Sequence, residues 1–385
     1  MQTSKPGGNL DGYRALFDPQ YLPAVLVGRE KERNFLKGFL LDDFALKSEH
    51  ETSENQGTSI MVNGLRGVGK ATLVRKVMQE LCKDCAAESP LQIANIWINC
   101  SEKDESQLLL DLMTKLAIEP DQAIEETIDI PGAWSSINAY LRKATQHSAF
   151  NLFFNNVENV SLHVFNKLAS KLKNLGLNLL MATSMRHNNY FIDNIDLAID
   201  LDVYKISDLH EIVDHRARIA FPEMETDVSR FITDAVVEFD SPRPGPCINV
   251  LKYLYPHLQP SNLDTISLDM VQECVKNALP EISYNELELA EFFANATIEK
   301  MIFLDNVVSF HETSGHFYVS KSELHDLFIN SCESLEIEPD TMEFDEIIAD
   351  MMASNIFMKS NQKPGSFFTM IPPRLVKSYI DVALN

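Results

Sequence analysis

The chain has 385 residues, 45% of them apolar and 9% aromatic, enough for the cores of two or three ordinary domains. Against 56 Asp and Glu stand 33 Lys and Arg, a formal charge of -23. That excess repels polyanions and excludes general affinity for nucleic acid or anionic membrane, so any nucleic-acid contact must be local and charge-compensated.

The start, MQTSKPGGNLDGYRALF, is polar and carries no signal-peptide core, and no apolar run approaches the ~20 residues of a membrane helix. A chain that stays inside the cell is expected. The six cysteines stand at 82, 85, 100, 247, 274 and 332. Cys82 and Cys85 are the one close pair, and no second pair or matching His spacing completes a zinc site, so reduced thiols and no bound metal are expected.

Residues 1–24 read as a flexible lead-in. The spacing of Phe35, Leu36, Phe39 and Leu40 predicts a helix over 29–44, followed by a polar loop over 47–57. A short apolar strand at 59–63 runs into Gly64-Leu-Arg-Gly-Val-Gly-Lys70, and a helix follows through Leu81. Further strands are predicted at 93–99, 151–155 and 177–183, separated by helices at 105–116, 133–145 and 164–174. Alternating strands and helices predict an α/β domain with a parallel sheet covered on both faces.

From about 206 the pattern turns purely helical, with helices predicted at 208–221, 227–239, 247–255 and 267–278. A third region begins near 284. It is read as a long helix over 286–307, a strand at 317–320, helices at 321–335 and 340–354, and a hairpin through Lys363-Pro-Gly365.

Gly64-x-x-x-x-Gly69-Lys70 between a strand and a helix is the strongest motif. Its glycines let backbone N–H groups cradle phosphates at a helix N-terminus, and the lysine reaches the outer phosphates. Gly64, Leu65, Arg66, Gly67, Val68, Gly69, Lys70, Ala71 and Thr72 are therefore the candidate binding residues for ATP or ADP. The position after the lysine should carry the hydroxyl that holds Mg²⁺, and here it is Ala71; Thr72 lies about 100° further round the helix. The later strand that should end in two acids reads Leu152-Phe-Phe-Asn155-Asn156-Val-Glu158. An amide at 156 cannot orient an attacking water. Glu158 is either a displaced acid or the start of the next helix.

These motifs resemble those of the AAA+ replication initiators, the origin-recognition subunit one and cell-division-cycle-six type, in their compact archaeal form. Leu16-Phe-Asp-Pro-Gln-Tyr21-Leu-Pro23 and Val27-Gly28-Arg29-Glu30-Lys-Glu32 look like that family's opening segment, whose match places Val27 and Arg29 at a base pocket. Asp208 through Phe221 resembles the first helix of its lid, and the stretch from Glu336 to Ile371-Pro-Pro373 resembles its winged helix. The resemblance implies a P-loop AAA+ domain over 25–205, a helical lid over 206–283 and an α+β winged-helix domain over 284–385. It further implies work in replication initiation beside other initiator or replication proteins, with homo- or hetero-oligomers. The location would be cytoplasmic and chromosome-associated in an archaeal-type cell, nuclear in a eukaryotic one.

Several positions depart from the family pattern. Ser184 stands where a polar sensor, commonly Asn, is expected. The second-sensor stretch reads Arg243-Pro-Gly245-Pro246-Cys247, with Arg243 slightly early. Residues 193–203 hold no arginine for a neighbouring subunit, and Arg186 is the nearest candidate. With Asn155, Asn156 and Ala71 these departures predict a pseudo-ATPase in which hydrolysis is weak or absent and no catalytic residue is assigned. A working enzyme would have to rely on Thr72, Glu158 and Arg243 as substitutes.

Residues 285–385 hold 6 Lys and Arg against 17 Asp and Glu, a net of -11. The helix expected in a DNA groove offers Glu343, Asp345, Glu346 and Asp350 and no cation, which opposes phosphate and leaves guanine unread. Lys359 and Lys363 on the wing remain as DNA candidates, with Arg374 and Lys377 beyond and Lys167, Lys171 and Lys173 on another helix. Binding to origin DNA is therefore expected to be weak or partner-dependent. The competing expectation is a degenerate scaffold or regulator whose acidic winged helix docks a basic protein.

Overall fold

The computed structural model describes residues 10–49, 56–88, 92–118, 129–145, 148–184, 195–258, 266–279 and 286–384. The chain divides into two compact units: one spans 22–203, and the other joins 204–385 to the N-terminal residues 1–21.

The first described element is α1 (Leu10–Phe17). The unit over 22–203 then runs α2 (Glu30–Glu49), β1 (Ser59–Gly64), α3 (Lys70–Glu88), β2 (Gln92–Asn99), α4 (Glu105–Lys115), α5 (Ile130–Ala144), β3 (Ser148–Asn155), α6 (Leu162–Asn174), β4 (Asn178–Thr183) and β5 (Leu197–Leu201). Its sheet has the order β2-β3-β4-β1-β5, every neighbouring pair parallel. The strands β1 and β4 at its centre are almost wholly buried, as a sheet covered on both faces requires.

Register across three strands is fixed by a row of amides. Asn95 stands opposite Asn151, and Asn151 opposite Asn178. The Asn178 amide donates to Asn151 Oδ1 (3.3 Å), the Asn151 amide to Asn95 Oδ1 (3.0 Å), and Asn178 Oδ1 accepts from the Thr58 N–H (3.1 Å). A one-residue slip would break all of these at once and turn each apolar side chain to the opposite face.

The other unit continues with α7 (Ile206–Ala220), α8 (Thr226–Phe239), α9 (Pro244–Leu254) and α10 (Leu268–Ala278). Then come α11 (Glu286–Asn295), α12 (Ile298–Ser314), β6 (Val319–Ser320), α13 (Lys321–Ser334), α14 (Thr341–Ala353), β7 (Met358–Lys359), β8 (Ser366–Phe368) and α15 (Pro373–Leu384). The short strands form an antiparallel sheet, β6-β8-β7, beside a helical core that includes Phe303, Phe328 and Phe344. Helix α12, strand β6, helices α13 and α14 and the β7–β8 hairpin, in this order, make a winged helix.

Five features differ from the sequence reading. The lead-in contains α1, because Ala15 and Leu16 bury against the helical part of its unit and Arg216 donates to the Ala15 carbonyl. The helix after Arg29 continues to Glu49, into the stretch read as a loop. The long helix at 286–307 is two, because Thr297 caps α12 by accepting from the Lys300 N–H (3.4 Å). The edge strand β5 and the terminal helix α15 are additional.

Burial pushes the Cys100 thiol up to about 12 and the Cys274 thiol up to about 11, and raises Cys247 as well. These thiols stay protonated at neutral pH and are chemically quiet.

Candidate functional site

The phosphate loop joins β1 to α3 at the C-terminal edge of the parallel sheet. Gly64 adopts φ +152, and a Cβ there would lie 2.9 Å from the Leu201 carbonyl oxygen and 3.0 Å from Val68 Cγ1. Only glycine fits between β5 and the returning loop. Gly67 and Gly69 also take positive φ, 84° and 97°, so the loop coils tightly into the N-terminus of α3. There the first N–H groups of the helix and its dipole favour an anion.

Lys70 is buried, and its Nζ donates to the carbonyls of Gly64 (2.6 Å) and Leu65 (3.0 Å) and to Ser184 Oγ (3.3 Å). Ser184 follows the end of β4, and its backbone N–H donates to Glu158 Oε1 (3.2 Å). Lys70, Ser184 and Glu158 therefore form one connected polar cluster at the head of β1, β3 and β4. The other carboxylate oxygen of Glu158 is buried and has no hydrogen-bond partner among the described residues. Glu158 does not begin α6. It sits in a single 3₁₀ turn, Val157–Asn159, and α6 starts after its own cap, Ser161.

Asn155 ends β3, and its carbonyl accepts from the Cys100 N–H (2.9 Å). Asn156 adopts φ 58 and ψ 47, a left-handed conformation that asparagine tolerates better than most residues. Its amide donates to Asn99 Oδ1 (3.1 Å) and Ser101 Oγ (3.0 Å), so it is tied to the loop after β2.

Arg29 is 5% exposed and bridges Glu32 Oε1 (3.1 Å) and the Asp202 carbonyl. Asp202 follows Leu201, which pairs with Gly64 in the sheet. Lys76 of α3 donates to the carbonyls of Pro23 (3.2 Å) and Ala24 (2.6 Å). The segment carrying half-buried Val27 is thus tied to the phosphate-loop helix and Arg29 to the edge strand beside the loop. Arg243 belongs to the other unit, where it precedes α9 and pairs with Asp240. Arg186 lies outside the described residues.

The residues fit the phosphates of a nucleotide, and Glu158 places a carboxylate beside them. A glycine-built coil, a helix N-terminus and a buried lysine meet at one point, which suits phosphate. Ala71, Asn155 and Asn156 supply neither the hydroxyl nor the carboxylates that Mg²⁺ prefers. Among the described residues no group of three His, Cys, Asp or Glu could hold a metal.

In the winged helix, Lys359 is exposed, whereas Lys363 is engaged. Its Nζ pairs with Asp227 of α8 and lies 5.0 Å from the centre of the Tyr318 ring. Seven residues further along α8, Asp234 is fully buried. It accepts from Tyr318 Oη (3.0 Å), Ser360 Oγ (2.5 Å) and the Asn361 N–H (3.0 Å). The base of the wing is therefore held to α8 by two carboxylates on one helix face. Sequence reading missed this pairing, because the partners lie 84 to 136 residues apart. Arg374 pairs with Asp269 (3.4 Å) and Lys377 with Glu312 (2.5 Å).

A P-loop α/β sheet of order β2-β3-β4-β1-β5, with a helical segment and a winged helix following in the chain, defines the AAA+ class of nucleotide-binding folds. No family model and no curated protein matches the chain. Among solved structures it is similar to the Cdc6p protein of Pyrobaculum aerophilum, at 17% identity and a TM-score of 0.70, over 96% of this chain and 97% of that one. It is similar to the Aeropyrum pernix ORC1 protein in complex with DNA, at 15% and 0.56, over 97% and 96%. The Aeropyrum pernix ORC2 protein, solved as ADPNP-ADP complexes, is similar at 15% and 0.55, over 96% and 97%. The chain has the fold of these Cdc6 and origin-recognition proteins along nearly its whole length.

Among the described residues no helix is long and apolar enough to cross a membrane.

Proposed function

We propose that this protein is a nucleotide-binding AAA+ protein of the replication-initiator type that holds ATP or ADP and hydrolyses ATP weakly or not at all. One observation carries the reading. The phosphate loop keeps its glycine coil and buried Lys70, while the two positions at the end of β3 that should bear acids bear Asn155 and Asn156. The nucleotide would bring the phosphates. The chain's part is to cradle them with the loop N–H groups of 64–70, to balance their charge with Lys70, and to sense the outer phosphate through Ser184. With no carboxylate at 156, no side chain there takes the proton of an attacking water.

The ADPNP-ADP complexes of the ORC2 protein and the DNA complex of the ORC1 protein support extending both ligands to this chain. DNA contact is expected to be weak and to need companion subunits, because Lys363 is already paired and the α14 helix presents carboxylates.

Calorimetry with ATP and ADP tests the nucleotide reading. Wild-type protein is expected to bind one nucleotide per chain, and Lys70→Ala to weaken binding by ~100-fold, about 2.7 kcal/mol. Phosphate release should stay at the background rate. Lys70-dependent turnover at ordinary enzyme rates would sink the pseudo-ATPase part, and absence of binding would sink the whole.

A further inference from the structure

The α14 helix has two faces of opposite character. Phe344, Ile347, Ile348 and Met351 bury into the winged-helix core. The outward stripe is Met342, Glu346, Ala349 and Ala353, at the i, i+4, i+7, i+11 spacing of one helix face, flanked by Asp345 and Asp350. Met342 is 73% exposed and Ile337, just before the helix, 40%. Beside the C-terminal end of the stripe lies a groove of about 330 Å³, walled by Phe292, Ala296 and Ala353 and rimmed by Glu291 and by Asp350 with its partner Lys300.

We propose that this face and groove dock a Lys- or Arg-rich amphipathic helical segment of another protein. Small side chains at 349 and 353 let a partner backbone approach closely. The groove admits an apolar anchor, and Met342 adds exposed apolar surface at the other end of the stripe. The charge selects the occupant. Lys321 already pairs with Asp345 (2.8 Å) and Lys300 with Asp350. Glu336, Glu338, Glu343 and Glu346 have no ion pair among the described residues, so the complement must be cationic.

A second copy of this chain is a poor source of that charge. Its net charge is -23, and the lysines of α6 are spent internally: Lys167 pairs with Glu105 (2.9 Å), Lys173 with Asp196 (2.7 Å), and Lys171 lies over the Trp134 ring. Duplex DNA is excluded from the same face by repulsion between its phosphates and these carboxylates. The proposal goes beyond the nucleotide reading and does not depend on it, so the Lys70→Ala protein should bind the same probe unchanged.

The probe is a fluorescent amphipathic helical peptide of Leu and Lys, about five turns long, with its scrambled isomer as control. Titrated with the full chain, the helical peptide should bind and the scrambled one should not. Glu346→Lys and Ala353→Trp should each weaken binding by ~10-fold, about 1.4 kcal/mol. Glu238→Lys, an exposed change of equal charge on α8, should leave binding within about twofold. An equal loss at Glu238, equal binding of the scrambled peptide, or direct binding of duplex DNA that Ala353→Trp weakens would each overturn the proposal.

Discussion

The phosphate loop and the winged helix both keep a backbone built for a polyanion, but they depart from that task in opposite ways. At the loop the changes are neutral. Ala71, Asn155 and Asn156 remove a hydroxyl and two negative charges and leave Lys70 and the glycine coil intact. At the winged helix the changes are charged: carboxylates line α14, and Asp227 takes up the wing lysine. A neutral substitution can remove chemistry and leave a bound ligand in place, whereas a charge reversal disfavours the original ligand, because Coulomb repulsion acts before any contact forms.

The sharpest way to break this comparison is to restore the loop's chemistry. Ala71→Thr, Asn155→Asp and Asn156→Glu together are expected to raise Mg²⁺-dependent phosphate release by ~100-fold, the order of effect of one positioned general base. The gain is capped by the backbone at 156, whose φ of 58 asparagine accepts and glutamate resists by ~1 kcal/mol. An unchanged rate in the triple variant would mean that these three positions do not limit hydrolysis, and would point to the sensor positions instead.

Most of the α/β architecture was legible from periodicity, because β1, β3 and β4 are short apolar runs and the glycine motif sets the turn that leads from β1 into α3. β5 was not. Leu197-Ala-Ile-Asp-Leu201 is an edge strand in which only Ile199 and Leu201 are buried, and so short an alternation is weak evidence. α1 escaped because its apolar side chains acquire partners only in the folded unit. The loop residues could be named in advance, since the motif is local. The Lys70–Ser184–Glu158 cluster and the Asp227–Lys363 pair could not, because each joins residues from distant parts of the sequence.

A smaller effect separates the two carboxylates of α8 by the groups each one holds. Asp234 is buried and satisfies Tyr318, Ser360 and the Asn361 N–H. Asp234→Ala leaves three donors without their acceptor and is expected to cost ~3 kcal/mol in chemical unfolding of the full chain. Asp234→Asn keeps one acceptor oxygen and should cost less. If both cost under ~0.5 kcal/mol, the wing is not anchored through this residue.

The smallest effect concerns the sign of the pH dependence, which should be opposite for these neighbours. For Asp234 burial dominates and raises its pKa against the opposing hydrogen bonds of Ser360 and Tyr318. The folded state then holds a proton more tightly than the unfolded chain. Stability contributed through Asp234 therefore grows as pH falls through its raised folded value toward 3.8. For Asp227 burial also pushes upward, but the hydrogen bonds and charges of Lys363 and Arg230 outweigh it, and its pKa is lowered. Its contribution is complete above 3.8 and is lost as pH falls through the lowered folded value. Urea midpoints measured from about pH 3 to 7 on wild type, Asp227→Asn and Asp234→Asn should reveal both. Relative to Asp234→Asn, wild type should gain stability on acidification toward 3.8; relative to Asp227→Asn, it should lose stability only below that value. Parallel curves for all three proteins would show that neither carboxylate is tied to the wing. The difference between the phosphate loop and the winged helix would then rest on α14 alone.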